Sequence, residues 1–165
     1  MKTYLIGFMG SGKSALGRQL AGLMNTGFLD LDEMFEERYH ISIFDFFEKY
    51  DEDKFRRIEK ELLFETAALA NIVISTGGGT ACFYDNMKFI MENGVSVYLR
   101  MTSSELAMRL KNVRKKRPLL KDLPPDGLET WISSQLLARE VFYNQATHVF
   151  YPLHQDIGEL VLKLK

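Results

Sequence analysis

The chain has 165 residues, and its 21 Lys and Arg residues against 22 Asp and Glu residues give a net charge of −1. This length is typical of one folded domain, and the 46% hydrophobic and 26% charged fractions exclude a disordered or collagen-like chain. A near-neutral balance provides no broad basic field, so we expect neither nucleic acid nor a membrane as a partner.

The single cysteine, Cys82, excludes an intrachain disulfide and a cysteine-rich metal site. The histidines at 40, 148 and 154 lack the spacing that places two metal ligands on one helix face. No apolar run approaches the roughly 20 residues of a membrane span, and Met1–Leu5 lead directly into a glycine-rich motif rather than into a signal-peptide core. We therefore expect a cytoplasmic protein.

The hydrophobic pattern predicts short strands that alternate with longer helices. The predicted strands are Thr3–Ile6, Gly27–Leu31, Asn71–Ser75, Val95–Leu99 and Thr147–Tyr151. The predicted helices are Lys13–Leu23, Asp51–Ala70, Ser103–Lys111, Leu128–Ala146 and a C-terminal helix from about Gln155. In the second of these helices, one apolar stripe contains Phe55, Ile58, Leu62 and Leu69. Such alternation predicts a parallel sheet with helices on both faces.

A phosphate-binding motif follows the first predicted strand. Residues 7–14, GFMGSGKS, match the pattern G-x-x-x-x-G-K-[ST], and they lie between an apolar strand and a helical pattern, as this motif requires. Its glycines allow main-chain N–H groups to surround phosphate oxygens at the start of the helix. Lys13 can then reach the β- and γ-phosphates, and Ser14 can offer its hydroxyl to Mg²⁺. The sequence therefore predicts that the chain binds a nucleoside triphosphate.

Nucleotide binding alone does not identify the reaction, because the same loop serves switch GTPases, motor ATPases and small-molecule kinases. The length nearly fits a small GTPase. The chain, however, has neither a guanine-reading N-K-x-D sequence nor a convincing D-x-x-G. The sequence therefore lacks the motifs expected of a GTPase.

Two aspartates end the second predicted strand, in Asp30-Leu31-Asp32. If both lay on a strand they would point to opposite sides, so that one could face the metal and nucleotide and the other an acceptor pocket. The alternative is that they cap a helix, because several glutamates follow as in a helical first turn. The pattern alone leaves both interpretations open.

Three further features are weak when each is taken alone. Gly77–Gly79 follow the third predicted strand and allow either a ligand or another chain segment to approach the main chain closely. Arg56 could simply form an i, i+3 pair with Glu59, worth only about 0.2–0.5 kcal/mol on an exposed helix. Arg139, next to Glu140, could likewise lie on a solvated helix face.

The segment 109–121 contains seven basic residues and no acidic one. Three of the four prolines, Pro118, Pro124 and Pro125, lie in it or just after it, so a helix cannot continue unbroken through this region. The segment is either a solvated surface loop or a mobile cover that closes on anionic groups.

Taken together, these motifs resemble those of the shikimate kinases. The shared motifs are GFMGSGKS at 7–14, FLDLD at 28–32, FR-x-x-E at 55–59, STGGG at 75–79, RPLL at 117–120, and Arg139 followed by Tyr143. They occur in the family's order and span about residues 7 to 146. The phosphate-binding loop is common to many enzymes, whereas the combination of the other motifs is highly specific.

The resemblance implies an α/β fold with a five-stranded parallel sheet flanked by helices, the three-layer P-loop fold of the nucleoside-monophosphate-kinase type. It implies one domain over 1–165, with a substrate-binding region at about 32–62 and a mobile lid at about 109–125. The implied reaction transfers the γ-phosphoryl group of ATP, bound with Mg²⁺, to the 3-hydroxyl of shikimate in aromatic amino acid biosynthesis. A kinase of another small polar acceptor such as gluconate, and a nucleotide-dependent switch without such turnover, are the alternatives. The family also suggests a monomer.

The resemblance further implies a role for each matched position. Nucleotide binding would involve Gly10, Ser11, Gly12, Lys13, Ser14, Ala15 and Arg117, with Arg109 rather than Arg114 beside the adenine. Metal binding would involve Ser14 and Asp30. Shikimate binding would involve Asp32, Arg56, Gly77, Gly78, Gly79 and Arg139. The catalytic residues would be Lys13, Asp32 and Arg117, with Asp32 acting either as a base or only as a hydrogen-bond partner of the acceptor hydroxyl.

Overall fold

Five parallel strands form one sheet in the computed structural model, which describes residues 1–112 and 118–165. The strands are β1 (Lys2–Ile6), β2 (Gly27–Asp30), β3 (Ile72–Ser75), β4 (Val95–Leu99) and β5 (His148–Phe150). Their order across the sheet is β2-β3-β1-β4-β5, and every neighbouring pair is parallel. All carboxyl ends therefore lie at one edge of the sheet, and the predicted five-stranded parallel sheet is confirmed.

Helices connect these strands and pack against both faces of the sheet. They are α1 (Lys13–Met24), α2 (Leu31–Tyr39), α3 (Ile43–Lys49), α4 (Glu52–Glu65), α5 (Asn86–Asn93), α6 (Ser103–Leu110), α7 (Leu128–Tyr143) and α8 (Ile157–Leu164). Short 3-10 turns occur at Thr66–Ala68, Thr80–Cys82 and Pro125–Gly127. Over the described ranges, none of the helices has both the length and the apolar character needed to cross a membrane.

The alternation of side chains along β1 separates two hydrophobic cores. Tyr4 and Ile6 belong to the larger core, which also contains residues of α2, α4 and α7. Leu5 points the other way and packs with Leu20 of α1 and Leu160 of α8. All of these side chains are almost completely buried, and burying one large aliphatic side chain contributes about 1.5–3 kcal/mol. The middle strand is thus fixed on both faces, which fixes the starting point of the loop that follows it.

The sequence analysis does not predict α3 or α5, and it considers α2 only as part of the capping alternative. Helix α3 is rich in aromatic residues, which are weak helix formers. A local cap and one tertiary contact hold it instead. The Ser42 side chain accepts the Asp45 N–H at 3.0 Å, and the Phe46 ring packs edge-on against Phe35 with centroids 5.1 Å apart. Packing therefore overrides local propensity in this segment.

The helix predicted at 51–70 is too long, since α4 ends at Glu65. The Thr66 hydroxyl donates to a carbonyl three residues earlier (2.6 Å), and Asn71 adopts a left-handed φ of 53° before β3 begins. The chain turns back here to reach the sheet, so Leu69 leaves the predicted apolar stripe and is 39% exposed. Helix α7 likewise ends before its predicted boundary, at Tyr143.

Candidate active site

The loop between β1 and α1 surrounds an open pocket at the carboxyl edge of the sheet. Gly7, Gly10 and Gly12 have φ angles of 141°, 79° and 91°, a region that side-chain-bearing residues rarely adopt. The loop residues lining the pocket are Gly10, Gly12, Lys13, Ser14 and Ala15. Helix α1 begins at Lys13, so its first N–H groups, which lack carbonyl partners within the helix, lie at this pocket. This arrangement suits an anion such as a triphosphate.

Lys13 lies inside the loop rather than in solvent. Its ammonium donates to the carbonyls of Gly7 and Phe8, both at 2.9 Å. Ser11 is completely buried beside it, and its N–H donates to Phe8 at 3.2 Å. A phosphate entering the pocket would therefore meet a positive charge that the loop already holds in place.

Asp30 is the last residue of β2, and it connects two parts of the site. One carboxylate oxygen accepts the N–H groups of Asp32 (2.9 Å) and Glu33 (3.3 Å), so Asp30 caps α2. The other oxygen accepts the Ser14 hydroxyl at 2.5 Å. The capping interpretation is therefore correct for Asp30, and the same side chain also faces the phosphate-binding loop.

Asp32 lies in the first turn of α2 and not on the strand. The two aspartates therefore do not share a strand, and strand alternation does not orient them, because β2 ends at Asp30. Asp32 nevertheless reaches the edge of the sheet and lines the phosphate pocket. The helix, rather than strand alternation, gives it that position.

Ser14 and Asp30 together fit a small divalent cation. A hydroxyl and a carboxylate are the hard oxygen ligands that Mg²⁺ prefers, and the Ser75 hydroxyl lies 3.4 Å from that of Ser14. Among residues 1–112 and 118–165, no group of three or more His, Cys, Asp or Glu side chains is placed to hold a metal. Ser14 and Asp30 therefore suit an ion that completes its shell with phosphate oxygens and water, as Mg²⁺ usually does.

A second pocket adjoins the first, and Met9, Asp32 and Gly78 line both of them. Two arginines, Arg56 from α4 and Arg139 from α7, line the second pocket but not the first. Apolar side chains form much of the remaining wall: Ile43, Phe47, Phe55, Pro118 and Leu119. The second pocket thus combines two cations with apolar surface, and a carboxylate lies at its boundary with the phosphate pocket.

Arg56 is 4% exposed and is held by two carboxylates. It donates to Glu59 at 2.8 Å and to Glu52 at 3.1 and 3.2 Å, and the other oxygen of Glu59 accepts the Thr80 hydroxyl at 2.6 Å. Burial acts to lower the pKa of Arg56, but the two carboxylates outweigh it and raise that pKa, so the guanidinium stays charged. The expected i, i+3 pair exists, yet it is a buried network and not surface decoration.

Arg139 is 8% exposed and is held much more loosely. One guanidinium nitrogen lies 3.5 Å from the Gly78 carbonyl, and the group lies 5.2 Å from the centre of the Phe8 ring. Among the residues that the structure describes, no carboxylate forms an ion pair with Arg139. The interpretation of Arg139 as a solvated helix residue is wrong, and its charge is available to an acidic ligand.

The glycine run Gly77–Gly79 is packed against functional groups on every side. A Cβ atom added to Gly77 would lie 2.6 Å from Glu59. One added to Gly78 would lie 2.8 Å from the Met9 nitrogen, and one added to Gly79 would lie 2.7 Å from Arg56. Within the described chain these glycines have no positive φ, unlike those of the phosphate-binding loop. Other chain segments therefore approach this run closely, which is one of the two interpretations that the sequence leaves open.

Of the two arginines considered for adenine, Arg109 and Arg114, the structure describes only Arg109. Arg109, in the last turn of α6, lies beside the phosphate-binding loop, where its guanidinium would be 3.4 Å from a Cβ atom on Gly12. It also donates to the Met101 sulfur at 3.5 Å. Arg114 and Arg117 lie outside the described residues. The predicted roles of all three arginines stay predictions.

Sequence reasoning assigned no role to three residues that the structure places in the site. Glu59 accepts from Arg56, the Thr80 hydroxyl donates to Glu59, and Tyr143 donates to the Gly78 carbonyl at 2.5 Å. The spacing F-R-x-x-E was a signal for Glu59, since it places the two charges one helical turn apart. No local pattern shows that this pair is buried.

The chain is similar over nearly its whole length to known shikimate kinases. The family model for shikimate kinase matches residues 9–164. A shikimate kinase of Azobacteroides pseudotrichonymphae genomovar. CFP2 is 42% identical over 164 residues, which cover 99% of this chain and 96% of the relative.

Solved structures show the same similarity. The crystal structure of shikimate kinase from Bacteroides thetaiotaomicron has a TM-score of 0.88 at 38% identity, covering 99% of this chain and 96% of that one. A shikimate kinase from Acinetobacter baumannii, solved in complex with shikimate, has a TM-score of 0.88 at 31% identity, covering 98% and 89%. With the sheet order, the phosphate-binding loop and the two-arginine pocket already in place, the chain belongs to the shikimate kinase family.

Proposed function

We propose that this chain is an ATP-dependent shikimate kinase that transfers the γ-phosphoryl group of ATP to the 3-hydroxyl of shikimate. The observation that carries this proposal is the pair of adjoining pockets that share Asp32. One pocket is lined by a phosphate-binding loop, and the other contains Arg56 and Arg139. Full-length similarity to shikimate kinases, one of them in complex with shikimate, supports the same function.

The first pocket takes the nucleotide. The main chain of Gly10–Ala15 binds the phosphates, Lys13 neutralises the charge that develops on the transferring group, and Arg109 contacts the adenine. Ser14 and Asp30 hold Mg²⁺, which supplies positive charge at the phosphate oxygens when it is bound. Their short contact, and the position of Lys13 at the loop carbonyls, support these assignments.

The second pocket takes the acceptor. A carboxylate suits guanidinium groups, which can donate two parallel hydrogen bonds to it, and Arg56 and Arg139 provide two such groups. The main chain of Gly77–Gly79 forms one wall, and Asp32 accepts hydrogen bonds from the acceptor hydroxyls. Shikimate combines one carboxylate with several hydroxyls, so its two ends match the two ends of the pocket.

The chemical step then depends mainly on alignment. Phosphoryl transfer passes through a loose transition state, so the protein contributes chiefly by placing the acceptor oxygen in line with the leaving group and by stabilising charge. Asp32 lies at the boundary of the two pockets, where it can orient the 3-hydroxyl and take its proton. Arg117, which lies outside the described residues, is proposed to reach the transferring group.

We treat residues 1–165 as one domain in which the segment 32–62 binds the acceptor and the segment 109–125 forms a lid. The position of Pro118 and Leu119 in the wall of the acceptor pocket supports the lid. Closure would exclude water, which otherwise competes with the acceptor for the phosphoryl group. A cytoplasmic location and a monomeric state are expected from the family. Analytical ultracentrifugation tests the monomeric state.

The test measures ADP release from Mg²⁺ATP in the presence of shikimate, quinate, gluconate or a nucleoside monophosphate. We expect shikimate to accelerate ADP release far more than the others, to yield a phosphorylated product, and to lose its effect when EDTA removes Mg²⁺. Acceleration by gluconate or another acceptor instead would identify a different small-molecule kinase. Slow turnover that no acceptor changes would identify a nucleotide-dependent switch.

A further inference from the structure

Tyr143 is the last residue of α7, and it contacts the glycine run without lining either pocket. Its side chain is completely buried and stacks on Tyr98 of β4, with ring centroids 5.0 Å apart. Its hydroxyl donates to the Gly78 carbonyl at 2.5 Å. Burial raises the pKa of Tyr143 well above its usual value, so the hydroxyl keeps the proton that it donates.

Two donors from α7 converge on the Gly78 carbonyl. Arg139 lies one helical turn before Tyr143 and on the same face, and its guanidinium reaches that carbonyl only at 3.5 Å. The tyrosine holds the same oxygen at the much shorter distance. A carbonyl oxygen can accept two donors, and here the tyrosine makes the short contact while the arginine makes the long one.

Gly78 also lines both pockets, as do Met9 and Asp32. On one side its Cα faces the main chain of Met9, where an added Cβ atom would lie 2.8 Å from the Met9 nitrogen. On the other side its carbonyl meets Tyr143. The position of this one peptide therefore affects the wall of the acceptor pocket and the orientation of Arg139 together.

We propose that Tyr143 is a positioning residue for the acceptor. Its hydroxyl occupies the Gly78 carbonyl, so that Gly77–Gly79 keep their place in the pocket wall and the Arg139 guanidinium stays available to the acceptor carboxylate. Tyr143 does not line either pocket in the described structure, so it acts through these neighbours rather than on substrate. The inference rests on the acceptor site proposed above.

The chain provides a matched control in Tyr98. It is as deeply buried as Tyr143 and belongs to the same stack, but its hydroxyl donates to Glu140 at 3.1 Å and not to the glycine run. Tyr143→Phe and Tyr98→Phe each remove one buried hydroxyl from the same pair of rings. Only Tyr143→Phe removes the tyrosine hydrogen bond to the Gly78 carbonyl, so that Arg139 is the remaining side-chain donor to it.

The experiment compares steady-state kinetics of both variants with the wild type, and thermal melting checks their folding. We expect Tyr143→Phe to raise the KM for shikimate about tenfold, which corresponds to about 1.4 kcal/mol, while the KM for ATP stays within twofold. Tyr98→Phe should leave both KM values within twofold. In a crystal structure of Tyr143→Phe, Arg139 should move to within about 3 Å of the Gly78 carbonyl, a readout that needs no turnover.

Three results would overturn the inference: a KM for shikimate that Tyr143→Phe leaves unchanged, an equal rise in Tyr98→Phe, or an equal rise in the KM for ATP. A double variant adds an independent test. Because Tyr143 acts through Arg139, Arg139→Ala combined with Tyr143→Phe should be little worse than Arg139→Ala alone, and fully multiplicative effects would contradict this. Failure of the proposed function is a separate outcome, because the wild type itself would then show no turnover with shikimate.

Discussion

The nucleotide pocket and the acceptor pocket are adjacent, but they are built in different ways. The nucleotide pocket comes largely from one continuous segment, 7–15, and presents main-chain N–H groups and one lysine. The acceptor pocket combines residues far apart in the chain, among them Asp32, Arg56 and Arg139. Its cations are buried side chains that depend on the surrounding fold. A local motif therefore defines one pocket, whereas tertiary packing defines the other.

The two arginines of the acceptor pocket differ in a similar way. Arg56 forms ion pairs with Glu52 and Glu59, whereas Arg139 has no ion pair with a described carboxylate and makes a long contact with the Gly78 carbonyl. An arginine already paired with carboxylates mainly shapes the pocket. An arginine without such pairing gains more from a ligand carboxylate. We therefore expect Arg139 to contribute more to acceptor binding and Arg56 more to stability.

The largest expected effect concerns the network around Arg56. Glu59→Ala leaves a buried guanidinium without its closest partner, and breaking a buried ion pair in this way costs about 3–5 kcal/mol of unfolding free energy. Urea unfolding measures this loss. The matched control is Glu52→Ala, which removes the other partner of the same arginine, because Glu52 has a side chain 41% exposed and its loss should cost about 1 kcal/mol or less. Equal losses of unfolding free energy in the two variants would show that the deeper burial of Glu59 does not make its ion pair more important than that of Glu52.

The second effect tests the nucleotide pocket, where function and stability should separate. Lys13→Met keeps the length of the side chain but removes its charge, so kcat should fall about 10²–10³-fold, as for the loss of one charge-stabilising donor. The melting temperature should change less than in Glu59→Ala, because Lys13→Met removes two hydrogen bonds to loop carbonyls but leaves no buried charge without its partner. A kcat within tenfold of the wild type would contradict the assigned role of Lys13.

The third effect separates the two substrates. Arg139→Ala removes a charge-assisted contact of about 1.5–3 kcal/mol, so the KM for shikimate should rise about 10–150-fold while the KM for ATP changes little. Arg139→Lys keeps the charge but not the paired donors, and it should give an intermediate KM. If both substitutions raised the two KM values equally, Arg139 would not be specific to the acceptor.

The smallest effect concerns Cys82, which follows the glycine run. Burial raises the pKa of this thiol, although the nearby Arg139 charge and Tyr143 hydroxyl act to lower it. The folded protein should therefore react with iodoacetamide several-fold more slowly at pH 8 than the urea-unfolded chain.

The pKa of the Cys82 thiol is higher in the folded than in the unfolded chain. The thiol therefore stabilises the fold below its unfolded pKa, near 8.5, and that contribution is lost as the pH rises through the folded pKa. Equal alkylation rates for the folded and unfolded chains would contradict the raised pKa.

Much of the fold could be predicted from periodicity and glycine placement. Each strand was located to within one residue at either end, because apolar runs of four or five residues bounded by turn residues leave few alternatives. Helix α3 was missed because its formation depends on aromatic packing across the chain, and α5 was missed because no side-chain cap marks its start. Helix α4 was extended too far, since nothing local marks the reversal that begins at Thr66.

The site divides in the same way. Spacing alone predicted the phosphate-binding loop, and the glycines of that loop have the backbone angles that the motif requires. Arg56 and Arg139 were ambiguous in the sequence, because a charged residue on an amphipathic helix looks the same whether it is buried or exposed. Asp30 shows a further limit, since one carboxylate both caps α2 and faces Ser14, a combination that the two separate interpretations did not include.

The contact between Gly78 and Met9 has a consequence for the design of new acceptor specificities. Here main chain meets main chain with no side chain between them, so no substitution can bring the two segments closer, and any Cβ atom at Gly78 would force them apart. This contact thus fixes how closely the phosphate-binding loop and the glycine run can approach each other. The apolar walls around Phe47 and Leu119 can be altered to admit other hydroxy acids while that contact between the two segments stays unchanged.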